Sequence, residues 1–180
     1  LYRAHASHPM QMPKGSAITK TEAADAIYVI SRISGEGADR KAEPGDYYLS
    51  EQEEEELKAI TECYDNTIVI LNVGGVMDVS FLKKYNIAAL VMLSQAGMEG
   101  GNALADVLSG AVTPSGKLTD TWGCHYEDYP SSATFSHNNG NIIEEKYYEG
   151  IYVGYRYFDS FEVEPRQPFG YGMSYTTFDV

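Results

Sequence analysis

Three short apolar runs, separated by segments of a different pattern, constrain the fold of this chain most. They are Ala26–Ser31, Thr67–Asn72 and Ile87–Leu93, and isoleucine and valine recur in all of them. Continuous apolar runs of this length are typical of strands that are covered on both faces, as in parallel sheets. Their alternation with helical segments predicts an α/β fold, with a mostly parallel sheet and helices on both faces.

The clearest helical segment lies between the first two runs. Ser50 followed by Glu53 forms the sequence pattern of a capping box, in which each residue satisfies a backbone donor of the other. Leu57, Ile60 and Tyr64 then recur at helical spacing and predict the buried stripe. We expect Asn66 to end this helix.

Glycines mark the next elements. The turn Gly97–Gly101 leads into a second helix, which runs through Leu108 and is expected to stop at Gly110. Beyond a proline-containing turn, Lys117–Trp122 is predicted to form a further short strand.

An acidic residue with a glycine on each side follows the first predicted strand, in Ser34-Gly35-Glu36-Gly37. Glycine lets the backbone turn sharply and keeps bulk away from the carboxylate. In open α/β sheets, ligands bind at the carboxyl ends of the strands. The turns Gly74-Gly75 and Gln95–Glu99 also follow strands, so all three loops should lie at one edge. Glu36 is therefore a candidate functional acid, and an ordinary exposed turn residue is the alternative.

Charge and motif content exclude several classes of protein. With 13 basic and 26 acidic side chains, the chain has a formal charge of −13, which argues against nucleic acid and anionic membranes as partners. Nucleotide binding is disfavoured because neither GxGxxG nor GxxxxGK[ST] occurs, and Glu99 would repel a phosphate. Cys63 and Cys124 are expected to be free, buried thiols and not a disulfide framework. The histidines lack ligand spacing, so we expect no metal and no cofactor.

Tyrosine is unusually abundant, with 15 residues in the chain. A tyrosine ring offers an apolar face and a hydroxyl, which suits contact with a sugar or a polar-rimmed domain interface. We nevertheless expect most of those near the C-terminus to be half-buried packing residues. These are Tyr126, Tyr129, Tyr147, Tyr148, Tyr152, Tyr155, Tyr157, Tyr171 and Tyr175.

Several stretches share a resemblance when they are taken in order along the chain. The first is Ser34-Gly35-Glu36-Gly37 with Asp39-Arg40, and the others are Leu71–Gly75, Gly97–Leu108, Pro114–Leu118, Glu149–Tyr157 and Pro168–Phe178. Together they resemble glycoside hydrolase family 3, and the first resembles the acid/base loop of that family.

The resemblance implies a fold and a role. Residues 26–180 would form an (α/β)6 sandwich domain, with residues 1–25 as a connecting segment or an incomplete start of the domain. In the family this sandwich packs against a separate (β/α)8 barrel that carries an aspartate nucleophile. Glu36 maps onto the general acid/base, and Asp39 and Arg40 are candidates for substrate binding. The implied chemistry is retaining hydrolysis of terminal β-linked glucosyl residues.

The sequence also departs from the family. No barrel is present, so we expect a fragment without hydrolase activity of its own. Ser94-Gln95-Ala96-Gly97 replaces the Trp-x-Pro-Gly of many members. The alternatives are a non-catalytic sugar-binding or domain-interface module, or a relative that acts as a β-xylosidase or β-N-acetylglucosaminidase. The compartment is left open between cytoplasm and secretion, with the cytoplasm favoured.

Overall fold

The computed structural model describes residues 21–33, 39–137 and 140–177. Glu36 and most of the predicted connecting segment lie outside these residues. The helices and strands are β1 Asp25–Ser31, α1 Glu51–Cys63, β2 Asn66–Asn72, β3 Ala89–Met92, α2 Gly100–Leu108, β4 Trp122–Gly123, α3 Tyr155–Ser160 and β5 Pro165–Gln167. Short 3-10 helices lie at Ser80–Lys83, Tyr126–Asp128 and Phe135–His137. The chain divides into two compact units, Leu1–Leu104 and Ala105–Val180.

The first unit contains a parallel sheet in the order β1-β2-β3. Ser31 pairs with Asn72, and Leu71 pairs with Met92. The carboxyl ends of the three strands therefore meet at one edge, as the sequence predicts. The central strand β2 is buried on both faces, and Ile70 and Leu71 have no exposed surface.

Helix α1 begins as predicted and ends earlier. The Ser50 hydroxyl accepts the Glu53 N–H (3.2 Å), and the Glu53 carboxylate accepts the Ser50 N–H (2.8 Å), which confirms the capping box. The prediction that Asn66 ends the helix is wrong. The backbone is already extended at Tyr64, and Asn66 begins β2, where its N–H bonds to the Ala24 carbonyl.

The two faces of β1 differ in their cover. Tyr28 donates its hydroxyl to Glu56 of α1 (2.8 Å), so α1 covers the face that bears Tyr28. Burial raises the pKa of Tyr28 well above its usual value, and the hydrogen bond to Glu56 and that carboxylate's charge raise it further. On the opposite face, Ile27 is 50% exposed and Val29 is 36% exposed. This face of β1 thus presents apolar surface.

The second unit is built around a short antiparallel pair, β4 and β5. The predicted strand Lys117–Trp122 is wrong except at its last residue. Leu118 instead exchanges backbone hydrogen bonds with Gly170 and Tyr171, both at 2.8 Å, outside any regular strand. Trp122 and Phe158 are buried and form the apolar centre of this unit.

The expectation that the C-terminal tyrosines are mostly half-buried is also wrong. Only Tyr126, Tyr129 and Tyr157 have intermediate exposure. The other six are exposed, most of all Tyr147 at 87%. They are Tyr147, Tyr148, Tyr152, Tyr155, Tyr171 and Tyr175. The second unit therefore carries far more aromatic surface than its own small centre can cover.

Candidate functional site

The described residues on either side of segment 34–38 lie at the carboxyl edge of the sheet. Strand β1 ends at Ser31, and the Arg32 N–H continues the sheet pattern by bonding to the Asn72 carbonyl (3.1 Å). Asp39 and Arg40 resume the chain after the segment. The flanks of the candidate acid/base segment thus belong to the edge where function collects in α/β sheets.

Arg32 is a buried cation with a complete set of partners. Its guanidinium forms a two-pronged ion pair with Glu53, at 2.7 and 2.8 Å to the two carboxylate oxygens. It also donates to the backbone carbonyls of Ser31 (2.9 Å), Asp46 (2.6 Å) and Tyr48 (3.2 Å). A planar guanidinium matches a carboxylate in this way and fixes orientation as well as charge. Arg32 therefore ties the end of β1 to the start of α1.

Arg40 plays a similar part on the other flank. Its Nε donates to Asp46 Oδ1 (2.6 Å), and its Nη2 donates to the Asp46 carbonyl (2.8 Å). Its Nη1 donates to the Val76 carbonyl (2.8 Å) in the loop after β2. The other carboxylate oxygen of Asp46 accepts the Lys41 N–H (2.6 Å). These hydrogen bonds join Arg40 and Lys41 to Asp46, and they join Arg40 to the loop after β2.

The turns after β2 and β3 reach the same edge. A Cβ added at Gly75 would lie 3.9 Å from Arg40 Nη1, so the predicted glycine turn does adjoin the loop after β1. After β3, Ser94 adopts a positive φ of 60°, which is uncommon for a residue with a side chain. Glu99 accepts a hydrogen bond from the Asn102 amide (2.6 Å) at the start of α2. The predicted convergence of the loops is confirmed directly for the first two.

The first turn of α1 carries a further charged cluster beside Glu53. Burial alone would raise the pKa of Glu54, but hydrogen bonds from Lys84 and Tyr85 outweigh it and hold that pKa below its usual value. The hydrogen bond to Glu54 raises the pKa of Lys84. The pKa of Tyr85 is also raised, mainly by burial and then by the hydrogen bond to Glu54. This cluster fixes α1 to the segment after the 3-10 helix Ser80–Lys83.

Only two of the three candidate site residues are among the described residues, and these two have different surroundings. Glu36 lies outside the described residues. Asp39 is exposed, whereas all three guanidinium nitrogens of Arg40 donate to acceptors of the protein. Substrate binding by Asp39 and Arg40 stays a prediction.

Sequence reasoning missed Arg32 and Asp46 as organising residues of this edge. The available signal was an arginine at the end of an apolar strand, since a buried cation needs a partner. Its partner Glu53 was explained by the capping box alone. One carboxylate serves both purposes.

Among residues 21–33, 39–137 and 140–177, no group of three or more His, Cys, Asp or Glu side chains could hold a metal ion. Within the same residues, no helix combines the length and apolar character needed to span a membrane. Cys63 and Cys124 are free, as predicted, but the expectation that they are buried is wrong because both are only partly buried.

Comparison with known proteins gives the class of this chain. Residues 10–155 match the Glycosyl hydrolase family 3 C-terminal domain. The chain therefore belongs to glycoside hydrolase family 3. The predicted fold class, an α/β sandwich domain on a mostly parallel sheet, is confirmed by this match together with the parallel sheet and the structural neighbours.

Individual relatives are longer proteins. Beta-glucosidase A of Butyrivibrio fibrisolvens is 42% identical, over 85% of this chain and 21% of its own length. The beta-glucosidase of Ruminococcus albus is 38% identical, over 94% of this chain and 18% of its own length. The structure of beta-glucosidase 3B from Thermotoga neapolitana in complex with glucose superposes with a TM-score of 0.80 at 44% identity, covering 86% of this chain and 22% of that one. The chain thus spans about a fifth of the relatives that it matches.

Proposed function

We propose that this chain is the sandwich part of a retaining β-glycosidase that hydrolyses terminal β-linked glucosyl residues, and that Glu36 is its general acid/base. The observation that carries the proposal is the position of Glu36 in the sequence. It lies five residues beyond the end of β1, in a family whose named relatives are beta-glucosidases. The flanking residues at the carboxyl edge of the sheet support it.

The chemistry of the proposed site needs two carboxyl groups about 5–5.5 Å apart. In the first step, a carboxylate attacks the anomeric carbon, the bond to the leaving oxygen breaks, and protonated Glu36 gives its proton to that oxygen. In the second step, Glu36 takes a proton from water, whose oxygen attacks the same carbon and displaces the carboxylate. The protein regains its starting protonation state after both steps.

The attacking carboxylate would come from elsewhere in the protein. We propose that a (β/α)8 barrel supplies it as an aspartate, along with most of the sugar-binding groups, and that this chain alone is inactive. Two findings support a missing partner: the relatives are about five times longer, and apolar side chains of the second unit are exposed. Such surface is typical of an interface with another domain.

Leaving-group dependence tests the acid role of Glu36. In the full-length enzyme that contains this chain, Glu36→Ala should lower kcat/KM for an alkyl β-glucoside by about 10²–10⁴-fold, the usual contribution of a general acid. A dinitrophenyl β-glucoside should keep most of its kcat/KM because dinitrophenolate leaves without a proton. Glu43→Gln, an exposed residue of the same loop, is the matched control. An equal loss for both substrates, or none, would contradict the proposal.

A second candidate function is a sugar-binding or interface module without catalysis. The exposed rings of Tyr147 and Tyr148 favour it, because aromatic faces stack on sugars and on partner domains. Saturable binding of glucosides by the separate chain, lost in a Tyr147→Ala and Tyr148→Ala double variant, would support this function. Recovery of hydrolysis on adding a barrel partner would support the catalytic one.

A further inference from the structure

Two arginines that flank the candidate acid/base segment meet at one atom. Arg32 precedes segment 34–38 and Arg40 follows it, and both donate to the backbone carbonyl oxygen of Asp46, at 2.6 and 2.8 Å. The described residues before and after this segment are therefore joined through a single acceptor, the Asp46 carbonyl oxygen. We call Arg32, Arg40 and Asp46 the clamp.

The charges of the clamp are balanced within the protein. Glu53 neutralises Arg32, and the Asp46 carboxylate neutralises Arg40. The Arg40–Asp46 pair is only partly exposed, with 15% and 28% of the side-chain surfaces accessible. A charge pair held by several hydrogen bonds from one rigid guanidinium is stronger and more directional than a simple surface pair. The clamp is consequently suited to fixing geometry.

The clamp is anchored to regular structure through Arg32 and to the loop after β2 through Arg40. Arg32 is attached through Glu53 to the capping box of α1, and its own N–H extends the pairing of β1 with β2. Arg40 reaches the Val76 carbonyl in the loop after β2. A functional group is held most accurately when its supports are themselves locked by packing and hydrogen bonds.

We propose that the clamp positions the acid/base, with Arg40 and Asp46 acting as positioning residues for Glu36. This inference rests on the proposed function. A general acid must lie within hydrogen-bond reach of the oxygen that it protonates. A displacement of about 1 Å in a catalytic group can cost about 10²-fold in rate. Loosening the clamp should thus weaken proton transfer in particular.

The test uses the full-length enzyme with two conservative variants, Arg40→Lys and Asp46→Asn. Lysine keeps the charge but loses the forked geometry, and asparagine keeps the shape but loses the charge. Each should lower kcat/KM for an alkyl β-glucoside by about 10–100-fold, while kcat/KM for a dinitrophenyl β-glucoside changes by less than about 3-fold, since that leaving group needs no proton. Glu43→Gln should leave both values unchanged. The burst of dinitrophenolate counts functional active sites, so a partly unfolded preparation does not distort the comparison.

Three outcomes would contradict the proposal that the clamp positions Glu36. If both variants lose activity equally on the two substrates, or lose none, while Glu36→Ala shows the leaving-group dependence, the clamp is only structural. If Arg40→Lys raises KM for both substrates and Asp46→Asn has no effect, Arg40 binds substrate instead. If Glu36→Ala lacks the leaving-group dependence, the proposed function fails, and the clamp fails with it.

Discussion

Arg32 and Arg40 donate hydrogen bonds to the same backbone oxygen, the carbonyl of Asp46. Eight positions apart in the sequence, they stand on opposite sides of the segment that contains Glu36. Two cations can share one acceptor here because Glu53 and the Asp46 carboxylate supply two compensating negative charges. The loop after β1 is thereby tied to β2 and α1.

The most stabilising part of this arrangement should be the buried pair of Arg32 and Glu53. Arg32→Ala removes both guanidinium hydrogen bonds from Glu53, whose carboxylate keeps only the Ser50 N–H among these donors, and removes the arginine's bonds to three backbone carbonyls. We expect the free energy of unfolding to fall by about 3–5 kcal/mol, as for other broken buried pairs. Urea unfolding followed by circular dichroism measures it.

The matched control for that variant is an exposed pair on the same helix. Lys58 and Glu62 lie 4.0 Å apart, and both are about two-thirds exposed. Lys58→Ala should change the free energy of unfolding by less than about 0.5 kcal/mol. Equal effects of the two variants would show that the Arg32 pair has no special role.

The layout of the first unit could be predicted because it depends on local patterns. The apolar run of β2, the capping box at Ser50 and the glycine turn before α2 each act over a few residues. The parallel order then follows from the alternation of strands and helices. The contacts at the carboxyl edge could not be predicted from local patterns, because Arg32 and Asp46 are fourteen positions apart and are joined through one carbonyl oxygen.

The second unit was predicted poorly because its structure depends on contacts between distant segments. Leu118 forms backbone hydrogen bonds with Gly170 and Tyr171, and no local sequence pattern predicts that pairing. The apolar character of its tyrosines predicts burial, but sequence alone does not show whether the chain has a core large enough to cover them. Six of them instead lie on the surface, Tyr147 and Tyr175 among them.

Gly172 should be required where Leu118 and its neighbours meet the C-terminal segment. A Cβ at this position would lie 2.3 Å from the Gly116 carbonyl oxygen, which is backbone and cannot rotate away. Gly172→Ala should therefore lower the free energy of unfolding by about 1–3 kcal/mol, the usual cost of overpacking. Thermal unfolding of the variant and the parent measures this as a lower melting temperature.

The control is Gly116→Ala, because a Cβ at that position would meet nothing within 4 Å. We expect the melting temperature of this variant to stay close to that of the parent. A parent-like melting temperature for Gly172→Ala would show that the two segments do not approach as closely as described.

The cluster of Glu54, Lys84 and Tyr85 should add a small pH-dependent contribution to stability. The pKa of Glu54 is lowered in the folded protein, so its contribution is present above the unfolded-state pKa and is lost as the pH falls through the lower, folded-state value. The difference in stability between parent and Glu54→Gln should thus shrink in acid, below the ordinary glutamate pKa. Urea unfolding at a series of pH values measures it.

The partner of Glu54 provides the check on that prediction. In a Lys84→Gln background, the effect of Glu54→Gln should be smaller, because the charge of Lys84 and one of the two hydrogen bonds that lower the pKa of Glu54 are gone. High salt should weaken the coupling too, since the pair lies at the surface. An effect of Glu54→Gln that is the same at every pH would contradict the prediction.

The role of Glu36 can be tested by identifying the product that Glu36→Ala makes from dinitrophenyl β-glucoside in the presence of azide. The variant can still form the glycosyl-enzyme, but it lacks the base that activates water. Azide needs no base: it attacks the anomeric carbon from the face that Glu36 would occupy, and the bond to the enzyme carboxylate breaks. If Glu36 is the acid/base, azide should speed turnover and the product should be β-glucosyl azide, identified by nuclear magnetic resonance. Formation of α-glucosyl azide, which would make Glu36 the nucleophile, or no azide adduct at all, would contradict it.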